Sequence, residues 1–374
     1  MTIAFDSRQA QLVTIGGKTL MIFCSNDYLG LSHHPEVIEA SSRAAKQYGC
    51  GTGGAPGTSG TTALHFELES RIAAFKHREK AMVFPSGYAA NVSLHQSLDG
   101  PDTVFFSDQK NHPSATDGIR LSGSDKQIFP HLGLEKLEEL VSADSHARKI
   151  VTTCSVFTVD GAITALDELA RLKQKYGFIL VLDEAHATGC IGESGRGLEE
   201  MYALYGAAGL IMGTFSKALG SQGGFLAYSA DSEKLLAQPL RGHEYSTSIA
   251  APSAAASLKA LDILEREPFL VGRMREHVGR IYDSLAAKGL SLNPSGRHIL
   301  NVYFETEDQT RLVIAELFER GYYVVPINLD GRWGIRVTAM AVHRDDEING
   351  FCRALEEIRK NKNPVKGNSC CPDK

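Results

Sequence analysis

Along much of the chain, short apolar runs end abruptly in polar or small residues. Residues 178–182 (FILVL) are followed directly by Asp183. Residues 210–212 (LIM) are followed in the same way by Gly213. Continuous apolar runs of this kind are typical of strands that are buried on both faces of a parallel sheet. The pattern therefore predicts a parallel sheet that presents functional groups at the carboxyl ends of its strands.

Other strands alternate with helices in the same part of the chain. A helix predicted from Leu166 to Tyr176 lies between two apolar runs, and such a strand–helix–strand unit requires parallel strands. Near the start, two β-rich runs flank Gly16-Gly17, a pair that favours a hairpin turn. The remaining predicted strands lie at residues 81–84, 103–106, 149–156 and 224–228, and a further helix runs from Pro35 to Gln47.

Beyond about residue 253 the pattern changes to long amphipathic helices that alternate with strands at 299–304, 322–325 and 334–338. This arrangement predicts a second, smaller α+β domain. The predicted divisions are an N-terminal hairpin or arm (residues 1–35), a large α/β domain (36–252), a C-terminal α+β domain (253–362) and a flexible tail (363–374).

Composition excludes several classes of function. With 374 residues, 43% of them hydrophobic and 22% charged, the chain has the profile of a globular protein large enough for two domains. Its formal net charge of −5 gives no basic surplus for nucleic acid or an anionic membrane. We expect neither a membrane span nor a signal sequence. The seven cysteines, including Cys370-Cys371, lack metal-ligand spacing, so we expect no metal and a reducing, cytoplasmic location.

The candidate chemistry centres on Lys217 and Asp183. Lys217 lies in the segment 213–220 (GTFSKALG), where its neighbours are mostly small or hydroxylic. Burial among such neighbours favours the neutral amine, which can form a Schiff base with an aldehyde. A carboxylate at Asp183 suits the protonated ring nitrogen of pyridoxal phosphate, a cofactor that acts as an electron sink. Taken singly, either residue could have an ordinary structural role, but together they predict a pyridoxal-phosphate enzyme.

Other segments predict where ligands bind. After the strand at 81–84, Ser86-Gly87-Tyr88 forms a glycine turn into a helix N-terminus, where free N–H groups and the helix dipole favour an anion such as phosphate. Residues 49–62 are the most glycine-dense stretch and would let the backbone approach a ligand, although a flexible linker is the alternative. His112, just past a strand, could stack on a flat cofactor or simply hydrogen-bond within its loop.

Two further segments have both a functional and a structural interpretation. Arg336 is predicted to lie mid-strand, where an unpaired cation is costly, so it should have an anionic partner. That partner is either a substrate carboxylate or a structural ion pair. Residues 245–248 (YSTS) precede Pro252 and a helix, and their hydroxyl groups could bind an anion or cap that helix.

In this order, the motifs resemble those of the α-oxoamine synthase family, pyridoxal-phosphate enzymes of fold type I. The similarity extends over roughly residues 20–360, and its carriers are NDYLGL (26–31), SGYAAN (86–91), DEAH (183–186), the glycine loop 192–197, TFSKA (214–218), YSTS (245–248) and RVT (336–338). The resemblance implies a large domain with a mainly parallel seven-stranded sheet between helices, and a smaller α+β C-terminal domain. It also implies a homodimer whose active sites are shared between subunits.

The resemblance implies a role for each matching residue. Lys217 would bind pyridoxal phosphate covalently and then remove the α-proton of the amino acid. Asp183 would pair with the ring nitrogen, His186 would bind the ring oxygen and His112 would stack on the ring. The residues implied to hold the phosphate or to lie beside the cofactor are Ser86, Gly87, Tyr88, Thr158, Thr214, Ser216 and, from the other subunit, Thr247. Those implied to bind substrate are Arg336, for the carboxylate, with Asn26 and Thr58.

The implied reaction condenses a small amino acid with an acyl thioester of coenzyme A or an acyl-carrier protein and releases CO₂. Residues 49–61 are most similar to the family members that use alanine and a pimeloyl thioester. Pro56 stands where two kinds of relative, those that form aminolevulinate and those that transfer a palmitoyl group, carry an arginine. This difference argues against both of these activities. The alternatives are a glycine acyltransferase of the same family, a synthase with another acyl donor, and an aminotransferase.

Overall fold

The computed structural model describes residues 3–293 and 298–362, so the predicted tail with Cys370 and Cys371 lies outside the described residues. In chain order the described strands are β1 (Ser7–Gln9), β2 (Leu12–Ile15), β3 (Lys18–Ile22), β4 (Lys80–Phe84), β5 (Thr103–Asp108), β6 (Asp125–Phe129), β7 (Arg148–Cys154), β8 (Ile179–Asp183), β9 (Leu210–Thr214), β10 (Gly224–Tyr228), β11 (Ser291–Leu292), β12 (Leu300–Tyr303), β13 (Tyr322–Tyr323), β14 (Val325–Leu329) and β15 (Arg332–Val337). The described helices are α1 (Pro35–Tyr48), α2 (Ala63–Phe75), α3 (Gly87–Ser97), α4 (Pro113–Ser122), α5 (Leu134–Ala143), α6 (Leu166–Tyr176), α7 (Leu198–Tyr202), α8 (Ala230–Glu233), α9 (Arg241–Glu244), α10 (Ala251–Arg266), α11 (Phe269–Ala287), α12 (Glu307–Glu319) and α13 (Asp345–Lys362).

The chain divides into two compact units. The large unit is continuous, residues 26–275, and the C-terminal unit combines residues 1–25 with 276–374. The sequence predicts a division at residue 253, whereas the structure places α10 in the large unit. The reason is packing, because Ala255 of α10 lies in an apolar cluster with Ala40 and Ala44 of α1. An alanine-rich helix can approach its neighbours closely, but its sequence does not say which neighbours these are.

The large unit is built on a sheet of seven described strands in the order β4-β10-β9-β8-β7-β5-β6. Neighbouring strands are parallel except at β10, which runs antiparallel to both β4 and β9. The prediction of a mainly parallel seven-stranded sheet is therefore confirmed. Leu180 and Leu182 of β8 pack into one apolar cluster and Val181 packs into another, as expected for a strand covered on both faces.

The edge strand β6 was not predicted from the sequence. Its residues, DKQIF, are mostly polar, and the only fully buried one is Phe129. Among the described strands β6 pairs only with β5, so its outer edge needs no apolar cover, and charged side chains there discourage pairing with other chains.

The C-terminal unit contains two described sheets, ordered β1-β2-β3-β13 and β11-β12-β15-β14. The predicted hairpin at Gly16-Gly17 is formed by β2 and β3, and β3 also pairs in parallel with β13. The predicted strand at 322–325 is instead two strands, β13 and β14. Phe23, Val302, Ile335 and Phe351 are among the side chains of the unit's core. Within 3–293 and 298–362, no helix combines the length and apolar character that crossing a membrane requires.

Candidate active site

The carboxyl ends of neighbouring strands bring the predicted catalytic residues together. β9 ends just before Lys217, β8 ends at Asp183, and β5 ends shortly before His112. Strands β9, β8, β7 and β5 are adjacent and parallel, so their carboxyl ends share one edge of the sheet. Lys217, Asp183 and His112 accordingly line one cavity of about 200 Å³.

Most of the predicted cofactor-binding residues line the same cavity. In addition to the three above, these are Gly87, Tyr88, Thr158, His186, Thr214 and Ser216. Thr58 and Thr247 are exposed and do not line it, and the Thr58 hydroxyl donates to the Ala55 carbonyl at 3.0 Å. Arg336 belongs to the C-terminal unit, where it lies half-buried on β15.

Lys217 is connected to a chain of hydrogen-bonding groups. Its Nζ lies 2.8 Å from His186 Nε2, and His186 Nδ1 lies 2.8 Å from the Tyr28 hydroxyl oxygen. The Tyr28 hydroxyl in turn donates to Asn26 Oδ1 at 3.2 Å. Tyr28 and His186 are buried, whereas Lys217 and Asn26 are half-buried. The lysine therefore faces an imidazole whose orientation is fixed from its other side.

Asp183 is held rigidly at the end of β8. Its Oδ1 accepts the Ala185 backbone N–H at 2.9 Å, and its Oδ2 accepts Asn91 Nδ2–H at 2.7 Å. Asn91 Nδ2 also donates to Ser114 Oγ at 2.9 Å. Asn91 from α3 and Ser114 from α4 thus orient a buried carboxylate that faces the cavity.

His112 is the N-cap residue of α4. Its Nδ1 accepts the Ser114 backbone N–H at 3.3 Å and lies 2.7 Å from Ser114 Oγ. Burial lowers the pKa of His112, and the Lys217 charge acts in the same direction, while the Asp183 charge opposes both. The hydrogen bonds within its own loop therefore coexist with a ring that faces the cavity in its neutral form.

The N-terminus of α3 lies at the cavity, where Gly87 and Tyr88 line the wall. Ser86 is its N-cap, with Oγ accepting the Ala89 N–H at 3.1 Å. A Cβ on Gly87 would lie 3.2 Å from Thr214 Cβ, so the close approach of α3 to β9 favours glycine there. Thr214 Oγ1 accepts the Ser216 N–H at 3.1 Å, which fixes the turn after β9. Free N–H groups at this helix start can bind phosphate.

Two structural interpretations from the sequence are wrong. α10 begins at Ala251 with Ala250 as its N-cap and without a side-chain cap, so residues 245–248 do not cap it. The glycine-rich stretch is not a flexible linker, because residues 56–60 form a compact π turn. A Cβ on Gly60 would lie 2.2 Å from the Gly54 carbonyl oxygen, a packing only glycine permits.

A buried ion pair supports the segment that carries Asp183 and His186. Lys76 Nζ lies 2.5 Å from Glu184 Oε2 and donates to the Arg196 carbonyl at 2.6 Å. Glu184 Oε1 accepts the Leu198 N–H at 2.8 Å. Gly197 has φ +108°, and a Cβ there would overlap the Glu184 carboxylate. The contacts of Lys76 and Glu184 therefore hold the glycine loop 192–197 against the end of β8.

A second group supports the loop that carries Thr158. His131 Nδ1 lies 3.1 Å from Asp108 Oδ1, and its Nε2 lies 3.1 Å from Asp160 Oδ2. Burial acts to lower the pKa of His131, but the hydrogen bond to Asp108 and the nearby charge of Asp160 outweigh it and raise that pKa to about 9. A protonated His131 therefore bridges the end of β5 to the loop at Asp160.

Sequence reasoning assigned no role to Tyr28, Asn91 or Ser114. Tyr28 and Asn91 lie inside the NDYLGL and SGYAAN motifs, so the signal was present, but their partners are distant in sequence. Ser114 follows His112 at the start of α4, a spacing that indicates a capping partner. Cys154 also lines the cavity, and its burial, with the Asp183 charge, raises the pKa of the thiol, which stays protonated.

The residues present fit pyridoxal phosphate. One cavity is surrounded by a buried carboxylate, a lysine amine, a half-buried imidazole and a helix N-terminus. The carboxylate suits the ring nitrogen of the cofactor, the amine its aldehyde, the imidazole its ring face and the helix N-terminus its phosphate. The Oδ1 atom of Asn91, at the cavity, is buried and has no hydrogen-bond partner among the described residues, so the lining still offers an acceptor.

A family model described as aminotransferase class I and II matches residues 18–355, and the chain belongs to that family. The structure is similar to that of serine palmitoyltransferase from Sphingomonas wittichii, with a TM-score of 0.92 and 25% identity, over 96% of this chain and 92% of that one. The fold is therefore that of pyridoxal-phosphate enzymes of fold type I, as the sequence predicts.

Relatives narrow this class further. The chain is 34% identical to 8-amino-7-oxononanoate synthase 1 of Bacillus velezensis over 359 residues, 95% of this chain and 91% of the relative. It is 36% identical to 8-amino-7-oxononanoate synthase of Citrifermentans bemidjiense over 94% of this chain and 92% of the relative. The resemblance to the α-oxoamine synthases is confirmed: the protein is an acyltransferase of that group, and its cofactor is pyridoxal phosphate.

Proposed function

We propose that the protein condenses alanine with an acyl thioester, with loss of CO₂, to give an α-amino ketone. That it joins an amino acid to an acyl thioester follows from its group; alanine is supported by the relatives named 8-amino-7-oxononanoate synthase. The observation that carries the proposal is the cavity at the sheet edge, where the Lys217 amine, the Asp183 carboxylate and the N-terminus of α3 face one another.

In the proposed mechanism, Lys217 binds the cofactor and later removes the α-proton of the amino acid. Bound pyridoxal phosphate supplies the electron sink that makes a carbanion accessible at neutral pH. Asp183, held by Asn91 and the Ala185 N–H, would pair with the ring nitrogen. His186 would bind the ring oxygen, and His112 would cover the ring face and exclude water from it.

The remaining residues would hold the phosphate or lie beside the cofactor. Gly87 and Tyr88 present the backbone N–H groups of α3, and Ser86 keeps that helix start in place through its cap. Thr214 and Ser216 shape the turn beside them, and Thr158 borders the ring from the loop that His131 supports. Tyr88 is half-exposed and its hydroxyl donates to Asp117, which leaves its backbone N–H as the group available for phosphate.

Substrate binding involves residues outside the lining of this cavity. Arg336 would bind the amino-acid carboxylate. Asn26 and Thr58 are the other residues that we propose to bind substrate. Thr247 completes the phosphate site of the partner subunit in a homodimer. Tyr245 (70% exposed) and Phe66 (67% exposed) are large side chains of the large unit that such an interface would cover. We propose a cytoplasmic location.

The substrates can be identified by coupled measurements. Purified protein with pyridoxal phosphate is mixed with alanine, glycine or serine and with acyl-coenzyme A of graded chain length, and free thiol and CO₂ are measured together. Equal thiol and CO₂ release with alanine and one chain length is the expected result. Release with glycine alone would instead identify a glycine acyltransferase, and release only with acyl-carrier protein would identify that carrier.

An aminotransferase is the second candidate, because the matching family model bears that description. An aminotransferase converts its amino acid to a keto acid without any thioester. Keto acid formed from alanine in the absence of acyl donor would therefore favour it. Absence of keto acid, together with thioester-dependent CO₂, would favour the condensation.

Arg336→Ala tests the carboxylate role. We expect the KM for the amino acid to rise on the order of tenfold to a hundredfold, because a charge-assisted bidentate pair is lost, while the KM for the thioester changes little. Arg332→Ala is the matched control, since Arg332 lies on the same strand but stacks on Tyr303 at 3.8 Å. An unchanged amino-acid KM in Arg336→Ala would assign Arg336 to a structural ion pair.

A further inference from the structure

We propose that Tyr28 is a positioning residue that sets the tautomer of His186, so that His186 Nε2 can accept the proton that Lys217 must lose before its amine reacts. All three residues lie in the large unit and are joined by two contacts of 2.8 Å. The inference rests on the proposed function only in taking Lys217 as the cofactor-binding lysine.

The N–H groups of Lys217 constrain the imidazole that faces them. A charged lysine has three N–H donors and no acceptor. The nitrogen that faces it at hydrogen-bond distance must therefore be an acceptor, so His186 Nε2 carries no proton while Lys217 is charged. A neutral His186 then carries its proton on Nδ1.

Asn26, at the opposite end of this row of hydrogen-bonding groups, constrains the imidazole as well. Asn26 Oδ1 can only accept, so the single hydroxyl proton of Tyr28 points to Asn26. The Tyr28 oxygen then has lone pairs left to accept, and the atom 2.8 Å away is His186 Nδ1. In this arrangement Nδ1 is the donor. One tautomer of His186 therefore satisfies the contacts to Lys217, Tyr28 and Asn26 together.

This tautomer prepares a proton transfer from Lys217 to His186. The N–H bond at Nζ breaks, its electron pair remains on Nζ as the lone pair that attacks an aldehyde, and a new N–H bond forms at Nε2. The imidazolium that results donates from Nδ1 to the Tyr28 oxygen in a charge-assisted hydrogen bond. Tyr28 is fully buried, so without its hydroxyl bulk water would not replace this acceptor.

The test compares Tyr28→Phe with Tyr228→Phe in the full chain. Tyr228 is also buried, at 1% exposure, but it lies on β10 and does not line the cavity, so it controls for the loss of a buried hydroxyl. Nitrogen-15 NMR of the cofactor-free protein distinguishes protonated from unprotonated ring nitrogens, and His186→Gln assigns the signals. We expect His186 protonated on Nδ1 in the wild type and in Tyr228→Phe, and loss of that single tautomer in Tyr28→Phe.

A second readout is the rate at which cofactor-free protein captures pyridoxal phosphate covalently, followed as a function of pH. Tyr28→Phe should slow capture roughly tenfold near neutrality and move the rate profile to higher pH, while Tyr228→Phe follows the wild type. Asn26→Ala retains the Tyr28 ring and should shift both readouts in the same direction, which keeps the test decisive if Tyr28→Phe does not fold.

Two results would overturn the proposal: an Nε2-protonated His186 in the wild type, or unchanged tautomer and capture rate in both Tyr28→Phe and Asn26→Ala. Neither readout uses an amino acid or a thioester. A protein that shows the expected tautomer and capture but no condensation would therefore contradict the proposed reaction and leave the role of Tyr28 supported.

Discussion

Two lysines of the large unit show how one side chain can serve structure in one place and chemistry in another. Lys76 is buried against the Glu184 carboxylate at 2.5 Å and the Arg196 carbonyl. Lys217 is half-buried and faces the imidazole of His186. A carboxylate at contact distance favours the ammonium form, whereas an imidazole can take the proton away. The partner, more than the burial, separates the two functions.

The histidines after β5 and β6 repeat the contrast. Burial lowers the pKa of His112, which faces the cavity. His131 is also partly buried, but the Asp108 and Asp160 carboxylates raise its pKa to about 9. His131 in the supporting structure is therefore kept charged by its two carboxylates, while His112 at the cavity is kept neutral.

Lys217→Ala should have the largest effect of any substitution within this comparison. We expect turnover to fall at least about a thousandfold, because the cofactor linkage and the proton-accepting amine are lost together. The melting temperature should stay near that of the wild type, since the lysine faces a cavity rather than the core. Thiol release and thermal unfolding measure the two expectations, and turnover at the wild-type rate would contradict the assignment.

Lys76→Met tests the opposite side of the comparison. Removing one member of this buried pair should lower the free energy of unfolding by about 3–5 kcal/mol, because the buried carboxyl group of Glu184 loses its ionic partner. Urea unfolding measures the loss. The double variant with Glu184→Gln should recover part of it, whereas strictly additive losses would show that the two side chains do not act as a pair.

His131→Asn should have a smaller and pH-dependent effect. Because the pKa of about 9 in the folded protein lies above the ordinary 6.5, the folded state holds an extra proton between these values. The stabilisation is fully present below pH 6.5 and is lost as pH rises through 9, and its size is up to roughly 3 kcal/mol. Unfolding free energies at pH 6 and pH 9.5 should converge in the variant. A wild-type protein equally stable at both pH values would refute the bridge.

The sequence predicted those features that depend on local pattern. The runs before Asp183 and Lys217 are apolar because their strands are covered on both faces, so strand and functional group could be predicted together. β6 was missed because an edge strand needs no apolar face. The assignment of α10 to the C-terminal domain failed because the spacing of alanines shows that a helix packs closely. It does not show which element the helix packs against.

The sequence predicted which residues form the candidate site, but not the hydrogen bonds that orient them. Lys217, Asp183 and His112 each follow a strand, and chemistry alone identifies them. Tyr28 contacts a histidine that lies in a different motif. Asn91 lies on α3, which follows β4, and it contacts Asp183 on β8, although β10 and β9 lie between these two strands in the sheet. Such pairings arise only when the sheet assembles, so no spacing along the chain encodes them.

The reversed strand β10 has a consequence for how the protein is synthesised. Within the described sheet, β4 pairs only with β10, although β4 ends at Phe84 and β10 begins at Gly224. A nascent chain that has not reached Gly224 therefore leaves both β4 and β9 with open edges that can pair with other chains. The same strand joins β4 to β9 and begins soon after Lys217, so the ribosome makes this joining strand and the reactive lysine almost together.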